Sequence, residues 1–145
     1  MLETVQPLRL APGLSSQLLA LAREAYPREV CGVLLAPADA GEHASIDSVC
    51  ALPNRARDAG VCFEIAAADL ARAGQGARRR GQAIQGFFHS HPDGDARPSP
   101  ADLAGCPPWD GYAQLIVSLP IGRGPEIRAY GVAPHGWFDR PLIGD

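Results

Sequence analysis

Apolar runs alternate along the chain with polar segments that contain Pro or Gly. The continuous apolar run Val30–Ala36 has the length of a strand and predicts a buried β-strand. Two further apolar segments, Gln82–His89 and Tyr112–Leu119, predict additional strands. Apolar residues between Leu14 and Tyr26 recur near helical spacing, which predicts a helix that Ser15 or Ser16 caps. These four segments form the expected framework of the fold.

The remaining elements are shorter or less regular. An Ala-rich segment at 66–80 predicts a second helix, with Asp69 early and Arg78, Arg79 and Arg80 late, as the helix dipole favours. Short strands are predicted at 8–10, 45–52, 127–133 and 137–142, an extended piece at 61–65 and a short helix at 99–104. This order predicts a mixed sheet with helices packed on it, in either an α/β or an α+β arrangement.

Composition narrows the class of protein. The chain has 145 residues, of which 46% are hydrophobic and 20% charged, and this predicts one globular domain over residues 1–145. Its net charge of -3 lacks the basic footprint of nucleic-acid binding. We expect no membrane partner, because no apolar run approaches the ~18 residues that span a bilayer. The N-terminal segment has no signal-peptide pattern, and the four cysteines have no CxxC spacing, so we expect reduced thiols and a cytoplasmic location.

The most informative motif joins a histidine pair to a downstream carboxylate. His89 and His91 are two residues apart on a predicted strand, so both imidazoles point to the same face. Asp102 follows on the next element and offers a third ligand. Two imidazoles and one carboxylate suit a divalent metal such as Zn²⁺, and three protein ligands leave one coordination position open. An open position is typical of a catalytic metal, which predicts a hydrolase.

Each part of this motif also has a purely structural interpretation. An isolated histidine pair can be satisfied by backbone hydrogen bonds. Ser99 and Pro100, with Asp102 as the third helical residue, form an ordinary helix start. Glu29, which precedes the first long strand, is a candidate to move protons during hydrolysis, but its position alone favours a solvent-exposed residue at a strand edge. A helix start at Ser99 remains compatible with a metal site, because it turns Asp102 toward the histidines.

The spacing of these residues resembles a known family. His89, one residue, His91, seven residues, Ser99, two residues and Asp102 together match the signature of the JAMM (MPN+) metallopeptidases. The segment Pro27–Gly32 is similar to the family's upstream segment around an essential Glu. Leu52–Asn54 and Phe63–Ile65 resemble the compact bacterial members. The resemblance implies a cytidine-deaminase-like α-β-α sandwich, in which helices flank a mixed central sheet.

The resemblance also implies roles for individual residues. His89, His91 and Asp102 would bind Zn²⁺. Glu29 would serve as general base and general acid, and Ser99 would hydrogen-bond the developing oxyanion. The implied substrate is a small ubiquitin-like sulfur carrier protein with a C-terminal Gly-Gly, and the enzyme would hydrolyse a peptide or isopeptide bond after that Gly-Gly.

Two other functions share these sequence features. The chain could be a catalytically silent MPN-type binding scaffold, or a zinc amidohydrolase that acts on a non-protein amide. Two details of the site are open as well. Cys106 lies four residues beyond Asp102 and can approach the metal or pack beneath a loop. The charged segment Asp93–Arg97 can contact substrate or be solvated, and Trp109 can line a groove or pack.

Overall fold

The computed structural model describes residues 5–41, 45–105 and 112–144. The helices within these ranges are α1 (Leu14–Ala25), α2 (Ala67–Arg79) and α3 (Pro100–Gly105). The strands are β1 (Leu8–Arg9), β2 (Cys31–Pro37), β3 (Ser48–Leu52), β4 (Gln82–His91), β5 (Ala113–Ser118), β6 (Glu126–Ala133), β7 (Gly136–Arg140) and β8 (Leu142–Ile143). None of the helices that were described is long and apolar enough to cross a membrane.

Six strands form one mixed sheet in the order β3-β2-β4-β5-β6-β7. Strands β4 and β5 are parallel, and every other neighbouring pair in this sheet is antiparallel. Strands β1 and β8 form a separate parallel pair, in which Leu8 lies opposite Leu142. The predicted mixed sheet is therefore confirmed.

Strand β2 is apolar throughout because helices cover both faces of the sheet. Leu34 of β2 belongs to the cluster that contains Leu18 of α1, whereas Val33 and Leu35 belong to the cluster that contains Ala77 of α2. Alternate residues of a strand point to opposite faces, so a strand buried on both sides needs an uninterrupted apolar run. The sheet lies between helices on its two faces, as the sandwich arrangement predicted.

Strand β4 occupies the middle of the sheet and brings the histidine pair to its end. Gly86 allows β4 to approach β5 closely, because a Cβ atom at this position would overlap the backbone oxygen of Ala113. Three residues later, His89 lies opposite Ile116 of β5, and His91 is the last residue of the strand. The candidate site therefore lies at the C-terminal end of β4, beside the parallel strand β5.

Several boundaries differ from the sequence predictions: β3 begins at Ser48, β4 extends to His91, and two further differences have a clear structural reason. Helix α1 begins at Leu14 and not after a Ser15 or Ser16 cap, so that part of the prediction is wrong. The reason is the preceding turn: Gly13 adopts the left-handed conformation (φ 84°) and the Leu14 N–H donates to the Ala11 carbonyl at 3.2 Å. The single strand predicted at 137–142 is interrupted at Pro141, and its second part, β8, pairs with β1.

Candidate metal centre and catalytic cleft

The three predicted metal ligands converge on one point. His89 and His91 lie on β4 and Asp102 lies in the first turn of α3. The Nε2 atoms of the two histidines are 3.2 Å apart. The Asp102 Oδ2 atom lies 3.1 Å from His89 Nε2 and 3.0 Å from His91 Nε2. All three side chains therefore direct one ligand atom into the same small space.

The start of α3 holds Asp102 in this position. The Asp102 N–H donates to Ser99 Oγ at 3.1 Å, and the Ser99 N–H donates to Asp102 Oδ2 at 2.9 Å. These reciprocal hydrogen bonds form a capping box, which satisfies two N–H groups at the start of the helix. The helix start expected from the sequence is present, and it also supports the carboxylate that faces the histidines.

The orientation of the His91 ring is set by a backbone contact. His91 Nδ1 lies 2.6 Å from the Asp95 carbonyl oxygen. A carbonyl can only accept, so Nδ1 carries the proton and the neutral ring has its lone pair on Nε2. Nε2 is the atom that faces His89 and Asp102. The second nitrogen of His91 thus fixes the tautomer that a metal ligand needs.

The charges of the side chains in the cluster also favour the binding of a cation. Burial lowers the pKa of His89 and keeps the imidazole neutral. Burial alone would raise the pKa of Asp102, but hydrogen bonds with His89 and His91 hold it far below its usual range. Burial acts to lower the pKa of His91 too, and the hydrogen bonds to Asp102 and to the Asp95 carbonyl raise it overall. A cation would therefore meet an ionised carboxylate and a neutral imidazole at His89, and it would bind His91 in its neutral form.

The dimensions of the cluster fit a tetrahedral metal ion. Ligand atoms at about 2.0–2.1 Å from a tetrahedral ion lie ~3.3 Å from one another. The observed separations of 3.0–3.2 Å between the Nε2 and Oδ2 atoms are close to this value. Two neutral nitrogen donors and one carboxylate oxygen match the ligand chemistry of zinc. The three residues could accordingly hold such an ion and leave one position free.

Glu29 lies beside this cluster and is buried. Only 5% of the Glu29 surface is exposed to solvent, so the alternative of a solvent-exposed glutamate is wrong. Its N–H donates to the Ala59 carbonyl at 2.6 Å, which anchors the backbone just before β2. Burial raises the pKa of Glu29 to about 7, opposed by His91 and assisted by the charge of Asp102. Within the described residues Glu29 Oε1 has no hydrogen-bond partner. Such a carboxyl group can both accept and release a proton near neutral pH.

Ser90 of β4 connects the segment around Glu29 to the strand that carries His89 and His91. Its Oγ accepts a hydrogen bond from the Val30 N–H at 2.8 Å, and its own N–H donates to the Val30 carbonyl at 2.9 Å. Ser90 is absent from the residues that the sequence pattern singled out. The available signal was a polar residue within an apolar strand, because a fully buried hydroxyl needs a partner.

An open cleft of about 420 Å³ adjoins the cluster. Glu29, His91 and Ser99 line it, together with Val61 and with Asp93, Gly94, Asp95 and Arg97 of the charged loop. The exposed fraction of Val61 is 65%, so the rim of the cleft offers an apolar contact. The candidate base Glu29, the candidate metal ligand His91 and the candidate hydrogen-bond donor Ser99 therefore line the same cleft.

The charged loop at this rim has an ordered backbone. The Gly94 carbonyl accepts a hydrogen bond from Ser118 Oγ, and the Ala96 carbonyl accepts one from Tyr130 Oη. The side chains of Asp93, Asp95 and Arg97 are exposed, as expected for a solvated loop, and they also border the cleft. Cys106 and Trp109 lie outside the described residues.

A family model described as prokaryotic homologs of the JAB domain matches residues 12–131. The chain belongs to this prokaryotic JAB family. The sequence of a desampylase from Haloferax volcanii, a curated relative, is 33% identical over 141 residues, which cover 90% of this chain and 98% of the relative. The resemblance drawn from the spacing of His89, His91, Ser99 and Asp102 is thereby confirmed at the level of the family.

Solved structures of other proteins share the fold of this chain. The solution structure of a protein from Desulfitobacterium hafniense has a TM-score of 0.80 and 27% identity, covering 95% of this chain and 92% of that chain. A protein from Salinibacter ruber has a TM-score of 0.71 and 29% identity, with the same coverage. A JAB1/MPN domain protein from Archaeoglobus fulgidus has a TM-score of 0.53 at 21% identity, covering 95% of this chain and 99% of that one, and shares the fold.

Proposed function

We propose that this protein is a zinc-dependent metallopeptidase that hydrolyses a peptide or isopeptide bond after the C-terminal Gly-Gly of a small ubiquitin-like sulfur carrier protein. The observation that carries the proposal is the convergence of His89, His91 and Asp102 beside a buried Glu29 carboxyl oxygen that has no hydrogen-bond partner among the described residues. The desampylase relative supports the choice of a ubiquitin-like substrate.

The proposed reaction assigns each side chain a separate task. His89, His91 and Asp102 would hold the ion. When bound, Zn²⁺ supplies Lewis-acid chemistry that polarises a carbonyl group and lowers the pKa of water. Glu29 removes a proton from the attacking water and later delivers it to the leaving amine, which suits a carboxyl group whose pKa is about 7.

Ser99 is placed to assist at the carbonyl oxygen. Its Oγ already accepts a hydrogen bond from the Asp102 N–H, and the hydroxyl proton is left to donate. Ser99 lines the cleft, so this proton can be directed at a substrate oxygen. A fixed donor is worth most where negative charge develops, and we expect its loss to reduce turnover more than substrate binding.

The proposal is tested with a defined carrier substrate. The substrate is a ubiquitin-like protein that ends in Gly-Gly and is either extended by a short peptide or joined to a lysine of a reporter peptide. It is incubated with the zinc-loaded protein, and the products are identified by mass spectrometry. The chain has no lysine, so every isopeptide lies on the added substrate. A carrier whose terminal Gly-Gly is replaced by Ala-Ala serves as the control. Zinc-loaded protein that leaves both carriers intact but hydrolyses small amides would favour a non-protein substrate.

Metal content distinguishes a metalloenzyme from a scaffold that binds no metal. Elemental analysis of the wild type should give about one zinc per chain, and His89→Ala/His91→Ala purified in parallel should lose it. Wild-type protein without stoichiometric metal would overturn the enzyme proposal and favour a silent scaffold.

The Glu29→Gln substitution tests the proton-transfer role separately from metal binding. The amide cannot accept the proton, so we expect turnover to fall by about 10²–10⁴-fold while zinc content stays at the wild-type level. Wild-type turnover in Glu29→Gln would exclude Glu29 as the base.

A further inference from the structure

The side chain of Asn54 fastens the loop between β3 and α2 to the Glu29 segment. Its Nδ2 donates to the Glu29 carbonyl at 3.0 Å and to the Cys62 carbonyl at 3.1 Å. Its Oδ1 accepts from the Ala56 N–H at 3.0 Å and the Glu64 N–H at 3.1 Å. An amide has two donor hydrogens and two acceptor lone pairs, so the hydrogen-bonding capacity of Asn54 is fully used.

Two of these bonds hold the backbone on either side of Phe63. The Phe63 ring stacks on the His89 imidazole, with 4.4 Å between the ring centroids and 25° between the planes. His89 is fully buried, and its Nδ1 has no hydrogen-bond partner in the described part of the chain. A metal-ligating histidine usually donates its second N–H to a carboxylate or carbonyl. Among the described residues, the stacked Phe63 ring is therefore a contact that can orient the His89 imidazole.

We infer that Asn54 is a positioning residue that sets Glu29 and, through Phe63, the His89 ring relative to the metal position. This inference rests on the proposed function, because the residues that Asn54 positions are the proposed base and one proposed ligand. One amide thus couples two sides of the site that are far apart in sequence. Loss of Asn54 would free the loop, move Phe63 from the His89 ring and leave two carbonyls without their donor.

The alternative is that Asn54 only anchors a loop. An anchor without a positioning role would change the free energy of unfolding and leave metal affinity unchanged. Metal affinity is therefore the measurement that separates the two roles, and it does not depend on the identity of the substrate.

The experiment measures Zn²⁺ affinity by competition with a chromophoric chelator for the wild type, Asn54→Ala, Phe63→Leu and the double variant. We expect each single substitution to weaken binding by about 10- to 100-fold, as for other residues that orient metal ligands. The double variant should have nearly the same Zn²⁺ affinity as the single variant with the lower affinity. The reason is that both substitutions remove the same restraint on His89. Phe63→Tyr keeps the ring and should retain wild-type affinity.

Gln82→Ala is the matched control. Gln82 lies at the opposite end of β4, and its amide also donates two hydrogen bonds, to Asp47 Oδ1 and Ser48 Oγ. This variant should bind zinc like the wild type. Where Asn54→Ala does not fold, Asn54→Asp replaces it with the same expectation, because it keeps the acceptor oxygen and removes both donors.

Asn54 variants that bind zinc as tightly as Gln82→Ala would overturn the positioning role and leave the proposed function intact. Losses in Asn54→Ala and Phe63→Leu that multiply in the double variant would also overturn it, because the two residues would then act independently. Wild-type protein that binds no zinc would overturn the proposed function and this assignment together.

Discussion

Burial determines the chemistry of Cys31, which lies two residues beyond the proposed base. The residue has no solvent exposure, and burial, assisted by the charges of Glu29 and Asp69, raises its thiol pKa to about 12. The thiolate is the reactive form of cysteine, so this side chain is held as an inert thiol. Cys62 is half-buried in the loop that Asn54 fastens.

We therefore expect Cys62 to be alkylated in the folded protein and Cys31 to be protected. The measurement is iodoacetamide labelling at pH 8, with the modified peptides quantified by mass spectrometry and denatured protein as the control. Cys31 labelling in the native protein at the rate of Cys62 would contradict the burial of this thiol.

The convergence of His89, His91 and Asp102 could be predicted from the sequence because their geometry follows local rules. Residues two apart on a strand share a face, and an acidic residue in the first turn of a helix points back toward its start. The burial of Glu29 and the stacking of Phe63 on His89 depend on contacts between segments distant in sequence. No local pattern contains that information.

At the scale of elements, apolar runs predicted where β2, β4 and β5 lie, but the pairing partners had to come from the structure. Strand length and periodicity carry no information about which strands are neighbours. The parallel contact of β4 with β5 is one such pairing, and it depends on Gly86, where a side chain would overlap β5.

Gly86→Ala should lower the free energy of unfolding by about 1–3 kcal/mol, because the added methyl group must push β4 and β5 apart. Urea denaturation measures this change. Gly124→Ala is the control, since a Cβ there meets no atom within 4 Å and should change stability by less than about 0.5 kcal/mol. Equal midpoints for the two variants would show that β4 and β5 have room for a side chain.

At the scale of the whole molecule, one buried carboxylate joins α2 to the loop that leaves β3. Asp69 accepts hydrogen bonds from Arg55 at 3.0 Å and from Arg72 at 2.7 Å. The Arg55 hydrogen bond, followed by the contact with Arg72, lowers the pKa of Asp69 against the opposing effect of burial. A carboxyl group whose pKa is lowered in the folded state stabilises the protein at pH values above its unfolded pKa, which is about 3.9 for Asp. This stabilisation is lost as the pH falls through the lower pKa of the folded state.

Asp69→Asn should therefore lower the free energy of unfolding at pH 7, and the difference from the wild type should shrink as the pH falls below about 4. Denaturation curves at several pH values measure this dependence. A difference that stays constant from pH 7 to pH 3 would mean that the charge of Asp69 does not contribute.

The pairing of β1 with β8 has a consequence for synthesis of the protein. Leu8 and Leu10 belong to the main apolar cluster, and their N–H groups donate to the carbonyls of Pro141 and Ile143. These partners leave the ribosome more than a hundred residues after the leucines do. Contacts of such separation form slowly because a long loop must close first. Strand β1 thus waits for its partner β8 until residues 141–143 have been made.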